Sequence, residues 1–139
     1  MKAHVKWVEE AMFLGVSESG HSVIMDGPPE AGGRNLGIRP MEMVLLGMGG
    51  CTAFDVVSIL KKARQEIVGC QVELKATRTE VPPKVFTHIH VHYVITGRQL
   101  SKTQIERAIE LSAKKYCSAS VMLGKTAEIT HDYEIEESG

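Results

Sequence analysis

The sequence lacks a dominant charge. Its 16 Lys and Arg nearly balance 17 Asp and Glu, leaving a net charge of -1 and a pI of about 6.6. That balance gives no electrostatic case for DNA, RNA or an anionic membrane as partner. The two short basic clusters, Lys61-Lys62-Ala63-Arg64 and Lys114-Lys115, read as solvated helix ends. A long apolar run is also missing: the central charge-free stretch, Met43 to Phe54, falls short of the roughly 18 residues a membrane span needs. The opening residues read as an amphipathic strand rather than a targeting segment. Only three cysteines are present, an odd number that does not suit a secreted disulfide scaffold. Repeats and low-complexity tracts are absent. The expectation is one soluble, cytoplasmic domain over residues 1–139, with no membrane or nucleic-acid partner.

What is present is a clear order of elements. Three short strand-like runs, 3–8, 12–16 and 21–26, are separated by Glu9-Glu10 and Ser17-Glu18-Ser19-Gly20, the spacing of an antiparallel meander. A Pro- and Gly-rich loop occupies 27–39, where regular structure is not expected. Pro40 suits the first turn of a helix, Glu42 complements its dipole, and the helix is expected to reach about Gln65. Its first half is apolar nearly all round and so should be buried on every side; its second half is amphipathic. Period-two alternation marks a strand through Cys70, Val72, Leu74 and Ala76, and another from Val85 to Tyr93. Ser101-Lys102-Thr103-Gln104 is a capping box opening a second helix, with the apolar stripe Ile105, Ala108, Ile109, Ser112 and Tyr116. Ser118 could cap a short turn ending at Gly124, and 127–135 reads as a last strand. The string β-β-β-α-β-β-α-β indicates an α+β fold.

Chemistry concentrates around the cysteines. Gly47, Gly49 and Gly50 precede Cys51 in the helix, each costing roughly 0.5–1 kcal/mol relative to alanine. Either the helix breaks there, or something approaches too closely for a side chain. Cys51 is then a reactive thiol beside that approach, or a small apolar filler. Cys70 shares a face with Val72 and Leu74 and reads as filler. Cys117 follows two lysines and precedes the Ser118 cap, a setting able to lower a thiol pKa. His88, His90 and His92 share one face of a strand; two of them could hold zinc, though a plain polar face is the simpler reading. His131, in phase with Ala127, Ile129 and Tyr133, reads as a buried, hydrogen-bonded histidine.

Residues 39–53, Arg-Pro-Met-Glu-Met-Val-Leu-Leu-Gly-Met-Gly-Gly-Cys-Thr-Ala, resemble the signature of the OsmC/Ohr family, in which a proline opens the central helix and the reactive cysteine follows eleven positions later. Lys114-Lys115-Tyr116-Cys117-Ser118-Ala119-Ser120 is similar to the family's second cysteine site, and the element order agrees along the whole chain. The resemblance implies an OsmC-like fold, with antiparallel strands around a long buried central helix in an intertwined homodimer. It also implies reduction of hydroperoxides, typically organic ones. Cys51 would become a sulfenic acid, Cys117 would resolve it to a disulfide, and a dithiol such as a dihydrolipoyl protein would reduce both, with no cofactor or metal.

The family further places an arginine beside the reactive cysteine and a glutamate directly after the proline. Here Met41 holds the glutamate's place and Glu42 comes one later; Arg34 and Arg39 are both candidates for the arginine, Arg39 being nearer the helix. These departures resemble the YhfA-like branch of the family. Nine residues of helix put Glu42 and Cys51 roughly 13 Å apart, so the two are not expected to cooperate along one helix. A two-fold dimer with the glycine-bearing helices side by side would meet that condition. A non-enzymatic dimer holding a small apolar or acyl ligand in an interfacial pocket uses the same features without turnover.

Overall fold

The computed structural model describes residues 1–139, which divide into two units, Met1–Leu46 and Gly47–Gly139. In the first, β1 (Ala3–Glu9), β2 (Met12–Ser17) and β3 (Ser22–Met25) form an antiparallel sheet in the order β1-β2-β3, the meander expected from the turn spacing. The loop that follows is more ordered than its composition suggests. Its Pro29–Ala31 segment makes a 3-10 turn. The Asp26 carboxylate accepts the backbone N–H groups of Gly27, Arg34 and Leu36 at 2.7, 3.2 and 3.1 Å. Those bonds, Leu36's first, hold Asp26 below the usual carboxylate range. The loop folds on itself so tightly that a Cβ at Gly33 would lie 2.0 Å from the Gly27 carbonyl oxygen, which only glycine avoids.

Helix α1 (Pro40–Lys62) runs unbroken through its glycines. Pro40 occupies the first helical position, and Glu42 Oε1 accepts the Arg39 backbone N–H at 2.8 Å, the reach-back half of a capping box. The expectation of burial on every side needs correction. The buried residues Met48, Thr52, Val56 and Leu60 form one stripe at four-residue spacing, joined by Gly49, whereas Phe54 is 76% exposed. The helix is also long and apolar enough to cross a membrane, which the charge-free run alone did not reveal. Its buried stripe is nonetheless committed to the protein through the polar bonds of Thr52 described below.

In the second unit β4 (Glu66–Arg78) and β5 (Phe86–Arg98) make a long antiparallel hairpin, and β6 (Glu128–Glu137) joins β5. The β5–β6 pair is parallel, which corrects the all-antiparallel expectation. A parallel neighbour requires a crossover, and the helical segment between β5 and β6 supplies one. That segment comprises α2 (Lys102–Leu111), a π-helical turn (Ser112–Tyr116) and α3 (Ser118–Leu123). Ser101 caps α2 by accepting the Gln104 N–H at 3.3 Å, but the Ser101 N–H goes to Gln65 Oε1 at 2.8 Å instead of completing the box with Gln104. The core gathers Leu60, Ile89, Val91, Tyr93, Ile95, Ile105, Ala108 and Ile109.

Candidate functional site

The π turn decides which residue of the second cysteine motif is buried. An α-helix aligns residues three and four apart, whereas a π turn accommodates one more per turn. The Cys117 N–H accordingly donates to the Ser112 carbonyl five residues back, at 2.9 Å. Cys117 therefore takes the buried position that the apolar stripe assigned to Tyr116; Cys117 is fully buried and Tyr116 is 51% exposed. Past the turn the backbone of Cys117 is extended, and its Sγ accepts the Ser120 N–H at 3.3 Å. The cap of α3 is thus Cys117, one residue before the expected Ser118.

Cys117 meets α1. Its Sγ, the Cys51 Sγ and a carboxylate oxygen of Asp55 all lie within 4.8 Å of one another. Cys51 and Asp55 are four apart on the helix, one turn, and so project from the same side. Burial pushes the Cys117 thiol up, and the adjacent Cys51 adds to the shift; the contacts to Ser120 pull the other way without winning. The lowered thiol expected from the neighbouring lysines is therefore corrected. Lys114 turns outward to pair with Glu110 at 2.5 Å, and Lys115 lies 5.3 Å from the Tyr116 ring centroid.

A chain of hydroxyls sustains Asp55. The Ser112 hydroxyl donates to Asp55 Oδ2 at 3.0 Å. With its single proton so committed, Ser112 accepts from Thr52 at 2.8 Å, and Thr52 accepts from the Tyr93 hydroxyl at 2.6 Å. Thr52, Tyr93 and Ser112 are all buried, and no buried side-chain polar atom lacks a partner. Burial pushes the Tyr93 phenol up, which keeps it a donor. The sequence reading overlooked all four residues. Asp55 had one available signal, its one-turn spacing from Cys51; Tyr93 and Ser112 had none, since they reach the site across the fold.

What approaches the glycine run is Leu74 of β4: a Cβ at Gly49 would lie 2.7 Å from Leu74 Cδ1, whereas positions 47 and 50 face open space. Arg39 and Glu42 sit in the first unit and bond locally. Besides its backbone link to Glu42, Arg39 donates from Nη1 to Asn35 Oδ1 at 2.8 Å and to the Gly37 carbonyl at 3.2 Å. Arg34 pairs with Glu9 at 3.1 Å. Cys70, pushed up by burial, stands outside the cluster, in line with the filler reading.

The strand histidines bond to carboxylates of β6. His90 Nε2 and His92 Nδ1 both contact Asp132 Oδ1, at 2.9 and 2.7 Å, and His88 lies 3.3 Å from Glu128. His131 corrects the expectation of a buried histidine. It is partly exposed, 3.8 Å from Glu110, with its ring edge-on to Tyr93.

Residues 32–132 match the family model described as OsmC-like protein. The chain is 52% identical over 138 residues to the protein YhfA of Escherichia coli K12, covering 97% of this chain and 98% of that protein. A solved hypothetical protein from Aquifex aeolicus is 30% identical with a TM-score of 0.87, covering 99% of this chain and 97% of that one. A structure from Legionella pneumophila described as an organic hydroperoxide resistance protein OsmC shares the fold at 15% identity and a TM-score of 0.72, over 96% of this chain and 97% of that one.

Proposed function

The chain belongs to the OsmC-like protein family, and from that premise we propose that it is a thiol-dependent hydroperoxide reductase acting on organic hydroperoxides. The observation that carries the reading is the convergence of Cys51 and Cys117, 66 residues apart in sequence, to within 4.8 Å at their sulfurs. Supporting it, fold neighbours are described as organic hydroperoxide resistance proteins.

In the proposed cycle the Cys51 thiolate attacks the distal peroxide oxygen. The O–O bond breaks, the alcohol leaves with a proton, and sulfur is oxidised to a sulfenic acid. The Cys117 thiol then displaces hydroxide from the Cys51 sulfur, forming the disulfide and water. A dithiol reductant reopens the disulfide by two exchanges and leaves as its own disulfide. The net change converts hydroperoxide and dithiol into alcohol, water and disulfide. Cys117 suits the resolving role because burial keeps it a neutral thiol that does not compete for the peroxide. Glu42 fixes the start of the helix that carries Cys51, through the Arg39 N–H. A cytoplasmic homodimer is the proposed form. The exposed apolar residues Val44, Leu46 and Phe54 of α1, and the open space at Gly47 and Gly50, support helix-to-helix contact between copies.

Dithiol-driven consumption of an alkyl hydroperoxide tests the reading. Cys51→Ser should abolish turnover, and Cys117→Ser should leave a sulfenic acid that a dimedone probe traps at Cys51. Full turnover by Cys51→Ser would remove the proposal.

A further inference from the structure

Asp55 is not needed by the thiol cycle, and its position is chemically odd. Cys51, Cys117 and Asp55 are each negative when deprotonated, and they crowd within 4.8 Å. No side-chain cation is ion-paired to any of them, and the single hydrogen bond of Asp55 comes from Ser112. Two sulfurs and an oxygen gathered within 4.8 Å of one another are a donor set that suits a borderline-soft divalent cation. We propose that the reduced form of this protein binds Zn²⁺ through Cys51 Sγ, Cys117 Sγ and Asp55, with the fourth position left to water.

The geometry fits. Tetrahedral zinc at about 2.3 Å from sulfur and 2.0–2.2 Å from oxygen sets its ligand atoms about 3.5–3.8 Å apart, within the spread of the cluster. The carboxylate is already aimed, because Ser112, Thr52 and Tyr93 hold Oδ2 through the hydroxyl chain. Such outer partners orient metal-binding carboxylates. Asp55 also lines a cavity of 510 Å³ that it shares with Ser58, Lys62, Arg107 and Tyr116. The ion would balance two of the three negative charges. It would also hold both sulfurs apart as thiolates, so that zinc occupancy and a Cys51–Cys117 disulfide exclude each other. The strand histidines take no part, being bound to their own carboxylates.

The experiment loads freshly reduced, untagged protein with Zn²⁺ in equilibrium dialysis and with Co²⁺ as spectroscopic probe. The expected result is one metal per chain, with a thiolate-to-cobalt band in the near ultraviolet and the intense visible bands of a tetrahedral ion. Both should vanish on oxidation to the disulfide. Asp55→Asn should weaken binding at least tenfold, and Ser112→Ala by about 10–100-fold, the usual cost of losing an outer-shell partner. His90→Ala/His92→Ala should bind as the parent does. Absence of the thiolate band, affinity unchanged in both Asp55→Asn and Ser112→Ala, or loss of binding in the histidine variant would each overturn the assignment. Circular dichroism identifies any variant that fails to fold. Because peroxide plays no part in the readout, this inference and the peroxidase reading fail separately.

Discussion

Thr52→Val tests the hydroxyl chain with almost no change of shape. Thr52 is fully buried and links two hydroxyls, accepting from Tyr93 at 2.6 Å and donating to Ser112 at 2.8 Å. Valine fills the same volume without either bond. Each net bond contributes about 1 kcal/mol, and the Tyr93 hydroxyl, left buried with no partner, costs a further 1–3 kcal/mol or so. The expected destabilisation is about 3–5 kcal/mol. Tyr93→Phe should cost only about 1 kcal/mol, because Thr52 still donates to Ser112 and only a lone pair goes unused. The double variant removes the stranded hydroxyl along with its partner. It should therefore fall short of the sum of the singles by about 2–4 kcal/mol. Urea denaturation at one fixed protein concentration reads all three, since subunit association would add a concentration term. An m-value close to that of the parent shows that the difference lies in stability. Strict additivity, or a loss below about 0.5 kcal/mol for Thr52→Val, would refute the directed chain.

The hydrogen bond between His92 and Asp132 raises the imidazole above its ordinary 6.5 and lowers the carboxylate below its ordinary 3.8. The imidazole's share of stability is full below about pH 6.5 and fades as pH rises through the raised value. The carboxylate's share is full above about pH 4 and fades as pH falls through the lowered one. The melting-temperature gap between the parent and Asp132→Asn should thus be widest between about pH 4 and 6.5, and a gap that grew toward pH 9 would contradict the pairing. The Tyr133 phenol, donating to Glu106 at 2.6 Å, is pushed up to about 12. Glu106→Gln should bring it back toward 10 in an ultraviolet phenolate titration. Gly49→Val would drive a branched side chain into Leu74 and should cost about 1–3 kcal/mol in the same denaturation assay.

The elements that could be read from sequence are those whose causes lie within a few residues. The alternation of β4 and β5 records a sheet face, and Ser101 announces a helix start, because a pleat and a cap are local geometries. The OsmC-like family was legible in two short motifs, since the helix opening at Pro40 and the thiol positions are features of the chain itself. The glycine run marked Cys51, but could not say what approaches it; Leu74 does so at Gly49, from a strand 25 residues further along the chain.

Only the tertiary structure decided the rest. The choice of Cys117 over Tyr116 for the interior depends on one added residue in the π turn, and a helical stripe read at 3.6 residues per turn points to the other. The parallel pairing of β6 follows from the crossover, not from any pattern in β6. Asp55 acquires meaning from Cys117, Ser112 and Tyr93, which reach it from another helix and a strand. Periodicity along a chain reports which side of an element is apolar; it carries no information about which polar atom waits opposite. The cysteines at residues 51 and 117 could be found by reading, whereas the carboxylate of Asp55 joined them only when the chain closed around all three.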